Sequence, residues 1–132
     1  MVLGPAMAAF YNATVELGVP QQVTTFTESD FCRTCQPSSG AGSDHAWGNH
    51  HFILGGAVKG GDIYGKFPTL AFSTTDDAGS RGVWIPTTAL DQYGATLASW
   101  FGVSDADLAT VFPNLSVFKA AGWPANLGFM QS

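Results

Sequence analysis

Five residues, Val23-Thr24-Thr25-Phe26-Thr27, do most to restrict what this chain can become. A run rich in β-branched and aromatic side chains, without Gly, Pro or charge, reads as a buried strand. A helical pattern precedes it. Ala6, Phe10, Ala13 and Leu17 recur at steps of four, three and four, Pro5 suits a first helical position, and Gly18 is the expected stop. Glu28, Ser29 and Asp30 follow the strand. Helix, tight turn, strand and then polar residues is the order of an α/β fold, in which ligands gather outside the carboxyl ends of the strands.

The rest of the chain fits that class. Its 132 residues suffice for one domain, so residues 1–132 read as a single segment. Only 11% of residues are charged and 16 are glycines, while 45% are hydrophobic, which opposes disorder and suggests a surface that expects to be covered. Five basic residues against ten acidic ones give a net charge of −5, which argues against a nucleic-acid partner. No apolar run nears the ~18 residues of a membrane span, and no signal peptide opens the chain. A helix is expected over about Ala89 to Phe101, capped by Thr88 with Asp91, with Leu90, Tyr93, Leu97 and Trp100 as its apolar stripe and Gly102 as its end. A shorter helix, Ser104 to Val111, carries a Ser cap and two aspartates in its first turn. His51 to Leu54 reads as a short strand, Ser73 to Gly82 as turns, and the tail after Pro113 as irregular. Trp84, Trp100, Phe101 and Phe112 are expected in the core.

Polar chemistry concentrates between Cys32 and Asn49, a loop of a length that is usually functional or mobile. Asp44 and His45, with His50 and His51 close by, offer the carboxylate oxygen and imidazole nitrogens that suit zinc or a similar divalent ion. The glycines before them would let adjacent side chains turn to one site, which a regular strand forbids. The plainer alternative is a solvated loop with hydrogen-bonding histidines. Cys32 and Cys35 form a Cys-x-x-Cys motif, but no helix follows to lower a thiolate pKa, and the histidine spacing departs from zinc fingers. Both thiols are expected to stay outside any metal shell. The glycines around Lys59 lack the phosphate-loop pattern and read as tight turns.

Several motifs, in order, resemble one bacterial family. They are Ser-Asp-Phe-Cys-Arg-Thr (29–34), Gly-Ser-Asp-His-Ala-Trp-Gly-Asn-His-His-Phe (42–52), Gly-Gly-Ala-Val-Lys-Gly-Gly-Asp-Ile-Tyr-Gly (55–65) and Trp-Ile-Pro-Thr-Thr-Ala-Leu-Asp-Gln-Tyr (84–93). Trp-Phe-Gly-Val (100–103), Val-Phe-Pro-Asn (111–114) and Asn-Leu-Gly-Phe (126–129) extend the match over nearly the whole chain. It resembles the C-terminal portion of the domain of unknown function 1501 family, which is similar to sulfatases and the alkaline-phosphatase superfamily.

The resemblance implies an α/β sandwich, incomplete in this chain, and a divalent ion (Zn, Mn or Ca) used to cleave phosphate or sulfate esters. Asp44 and His45 match the superfamily's ligand pair. Asp30 stands at the family's acidic position, Arg33 becomes a contact for an anionic substrate, and His50 and His51 match a subset of members. The nucleophile and further ligands would come from an N-terminal part, so the chain alone is expected to be inactive, and to associate with that part or with itself. Full-length members are often exported. Cys32 replaces a glycine of the family motif, Cys35 an apolar residue, and Val83 a common arginine. The competing readings are a non-catalytic binding or structural remnant, and, behind it, a small zinc or redox protein using Cys32 and Cys35. On the first reading, Asp30, Arg33, Asp44 and His45 converge at the end of the Val23–Thr27 strand.

Overall fold

A computed structural model describes residues 2–131. The described residues form a mixed α/β structure with four helices and two small antiparallel sheets. The chain divides into two compact units. One comprises Met1–Thr27, Phe52–Tyr64 and Ala89–Ser132, and the other Glu28–His51 and Gly65–Thr88.

In the first unit, α1 runs from Leu3 to Glu16, beginning two residues before Pro5. Pro5 is still tolerated, because N–H groups of the first turn have no partner within the helix. Gly18 ends the helix with a φ of 73°, and Val19 N–H returns to the Thr14 carbonyl at 2.9 Å. That closure needs a left-handed residue, which glycine supplies without strain. The packed face of α1 is Thr14, which is buried, with Met7 and Tyr11 half-buried. Ala6, Phe10, Ala13 and Leu17, the stripe expected to face a core, are exposed instead.

The expected five-residue buried strand is shorter and half-buried. β1 (Thr24–Phe26) pairs antiparallel with β4 (Ile53–Gly55), with Thr25 opposite Leu54 and Phe26 opposite Ile53. An antiparallel pair of this kind has no common carboxyl edge.

α2 (Leu90–Phe101) is the pillar of this unit. Tyr93 packs with Ala57, Phe129 and Met130, supported by Leu97 and Trp100. Ala95 joins Leu108 of α3 (Asp105–Val111) and Leu115 of α4 (Leu115–Ala120) in a second cluster, edged by Phe112. Ser104 caps α3 as expected, its hydroxyl accepting from Asp107 N–H at 3.3 Å. α4 corrects the irregular reading of the tail: its six residues are too few for a periodic signal, and the burial of Leu115 holds them. The cap of α2 also differs. Ala89, not Thr88, is the N-cap, and Gln92 supplies the side chain, its Oε1 accepting from Ala89 N–H at 2.9 Å. Phe101 is 84% exposed rather than core. The Lys59 segment is a turn that holds the tail, Lys59 N–H donating to the Phe129 carbonyl at 2.8 Å and Val58 bridging Met130.

Candidate functional site

The second unit holds every candidate site residue. Its frame is a ladder inside the long polar loop: β2 (Cys32–Arg33) pairs antiparallel with β3 (His45–Ala46), placing Arg33 opposite His45 and Cys32 opposite Ala46. The pairing continues one step, with Thr34 N–H donating to the Asp44 carbonyl at 3.0 Å and Asp44 N–H to Thr34 Oγ1 at 3.1 Å. Thr34 is buried and ties the end of the ladder.

Directly opposed residues in a ladder share a face, and successive residues alternate. Arg33 and His45 therefore stand together. Phe31 joins them, its ring centroid 4.5 Å from that of His45 and 5.2 Å from Arg33 Cζ, a cation–π distance. Arg33 Nη1 donates to the Ser43 carbonyl at 3.0 Å. This face is exposed, so its groups can reach a ligand.

The same pleat sends Asp44 away from His45. Its carboxylate takes Arg81 Nη1 at 2.5 Å, and Arg81 Nη2 donates to the Gln36 carbonyl at 3.3 Å. The side chains are 37% and 53% exposed, so the pair is worth at most ~1 kcal/mol. Arg81 is a lone cation in a run of turn residues, and nothing local says which carboxylate it meets. Its place is set by Asp77, buried, whose carboxylate accepts backbone N–H groups of Ser73, Gly79, Gly82 and Val83 at 2.9 to 3.1 Å. Burial alone would raise the Asp77 pKa; those bonds outweigh it and hold the carboxyl below its ordinary range. Gly82 beside Arg81 has a φ of 79°, and a Cβ there would lie 2.8 Å from Cys35 Cβ.

The remaining candidates are scattered. Asp30 is exposed just ahead of β2. The His50 ring lies 4.8 Å from that of Phe67, and Asn49 Nδ2 donates to the Phe31 carbonyl at 2.9 Å. His51 has its pKa lowered by burial, with Glu28 pulling it up and His50 pushing it down. Cys32 is half-buried, Cys35 exposed, and both are free thiols. Among the described residues, no group of three or more His, Cys, Asp or Glu side chains is gathered to hold a metal ion. Asp44 and His45 have the right donor atoms, but they face apart and the carboxylate is taken by Arg81. This chain's own residues do not fit a complete divalent site.

The model of one family, described as protein of unknown function (DUF1501), matches residues 2–87, about two-thirds of the chain. The chain belongs to the DUF1501 family. The matched stretch contains both strands of the Arg33–His45 ladder and the Asp77 loop of this DUF1501 chain. No curated protein and no solved structure matched it. Among the described residues, no helix is long and apolar enough to cross a membrane.

Proposed function

We propose that this DUF1501 chain is the C-terminal segment of a sulfatase-like hydrolase of the alkaline-phosphatase superfamily, acting on a phosphate or sulfate ester. Its contribution would be an anion-facing surface. The observation that supports this is the register that sets Arg33 opposite His45 on an exposed face. A guanidinium in that place offers a planar fork to an ester oxyanion, and the imidazole beside it offers a nitrogen for a proton or a cation. In the superfamily that the chain resembles, such sites use a divalent ion; here Asp44 could join His45 as a donor only after leaving Arg81, and the further donors and the nucleophile would have to come from outside these residues. The chain alone is therefore expected to be inactive. A second reading, a non-catalytic remnant of the same fold, is favoured by one observation: the Asp44–Arg81 pair occupies the carboxylate that a metal would need.

The test is turnover of aryl phosphate and aryl sulfate monoesters with added Zn²⁺, Mn²⁺ or Ca²⁺. The chain alone should show none. The same assay on a longer family protein containing this segment should show turnover that falls at least about tenfold in Arg33→Ala and His45→Ala. Activity of the short chain that disappears in Asp44→Ala would overturn the assignment of missing groups. A longer protein indifferent to both substitutions would leave the remnant reading.

A further inference from the structure

The apolar stripe of α1 is longer than the helix needs for its own packing. Leu3, Ala6, Phe10, Ala13 and Leu17 recur at steps of three, four, three and four, which is the a/d seam of a helix that packs along another helix. All five are exposed, with Leu3 at 56%, Phe10 at 52% and Leu17 at 76%. Leu17 follows the last helical residue yet keeps right-handed dihedrals, φ −76° and ψ −8°, so it extends the stripe. The face that α1 uses internally, Met7, Tyr11 and Thr14, lies beside this one and is distinct from it.

The stripe also reads nearly the same in both directions: large, small, large, small, large about Phe10. We propose that α1 pairs antiparallel with α1 of a second copy of this chain, on a two-fold axis at Phe10. In that arrangement Leu3 meets Leu17 of the copy and Ala6 meets Ala13. The two alanines let the helices approach to the short end of the usual 8–10 Å, and Phe10 fills the axis.

Charge agrees with this choice of occupant. Except for Glu16 at its C-terminal end, α1 carries no charged residue, and neither its first nor its last turn complements the helix dipole. Its N-cap, Val2, makes no side-chain bond to the first turn. An antiparallel copy brings Glu16 of each helix to the uncapped N-terminus of the other, which a parallel copy cannot do.

Sedimentation of the full chain over a concentration series tests the pairing. The expected result is a monomer–dimer equilibrium that Phe10→Glu weakens at least about thirtyfold, since two carboxylates would then meet on the axis. Circular dichroism of Phe10→Glu should be unchanged, because the side chain is exposed. A second measurement does not depend on that variant. With Cys32→Ser and Cys35→Ser as background, Phe10→Cys should oxidise to a dimer. A mixture of Leu3→Cys and Leu17→Cys chains should form the mixed disulfide, while neither does so alone. A monomer at every concentration that binds a fluorescent apolar dye would overturn the proposal and leave the face to a helix of another polypeptide. A dimer indifferent to Phe10→Glu, or a Leu3→Cys chain that cross-links to itself, would overturn it as well.

Discussion

Replacing Gln92 by leucine removes two ties from a side chain that is 1% exposed. Its Oε1 accepts from Ala89 N–H at 2.9 Å, one of the first-turn donors that α2 cannot satisfy itself, and its Nε2 donates to the Pro124 carbonyl at 2.6 Å. Loss of a helix cap costs about 1 kcal/mol, and the second bond a further ~0.5–1.5 kcal/mol. Leucine is nearly isosteric and recovers part of this by burying an apolar side chain, so the net destabilisation should be about 1 kcal/mol. With a urea slope of ~2 kcal/mol/M, the midpoint should fall by ~0.5 M at constant slope. Helical circular dichroism during urea unfolding is the assay. Thr88→Ala is the control: Thr88 lies one position ahead of the cap, so its loss should stay within ~0.5 kcal/mol. A Gln92→Leu midpoint within ~0.2 M of the parent, or a larger shift from Thr88→Ala, would refute the reasoning and return the cap to Thr88.

Two further outcomes concern the second unit. The Asp77 carboxyl has its pKa held below the ordinary range in the folded chain, so the stability it contributes is present above the unfolded carboxylate range and is lost as pH falls through the folded value. Acid titration followed by Trp84 fluorescence should show this loss below about pH 4, and Asp77→Asn should destabilise the loop at neutral pH while flattening that limb; an unchanged acid limb would count against the four-donor account. The Asp44–Arg81 pair, being half-exposed, should give a coupling below ~1 kcal/mol in a double-mutant cycle, shrinking with added salt; a salt-insensitive coupling above ~2 kcal/mol would mean that the pair is shielded from water.

What could be read directly from the sequence shares one property: it depends on neighbours a few residues away. Gly18 as a stop, Ser104 as a cap with Asp107 above it, and Tyr93, Leu97 and Trp100 of the α2 stripe are local geometry and stand where expected, while Leu90, the first residue of that stripe, is exposed. The motifs from Ser29 to Gly65 and the start of the one at Trp84 lie within the matched residues 2–87, while those at 100–103, 111–114 and 126–129 lie outside that match. The errors have a common cause as well. Thr88 and Ala89 are both plausible first residues, and only the burial of Gln92 against Pro124 decides between them. α4 exists because Leu115 found a place beside Ala95 and Leu108, which no six-residue window announces.

The candidate site divides in the same way. Asp44 and His45 stand out in the sequence by their donor atoms, and Arg33 by its place in a motif that resembles the family's. That Arg33 and His45 share a face while Asp44 turns to Arg81 follows from the ladder register, because moving one residue along a strand reverses the side chain. Arg81 is 37 positions from Asp44 and Asp77 has no helix or strand pattern around it. Their meeting depends on four backbone N–H groups converging on one carboxylate, a condition set by the path of the whole loop. Local sequence chose most of the elements and the candidate groups. Tertiary structure alone decided which of those groups face each other, because that depends on register and on contacts between residues far apart in the chain.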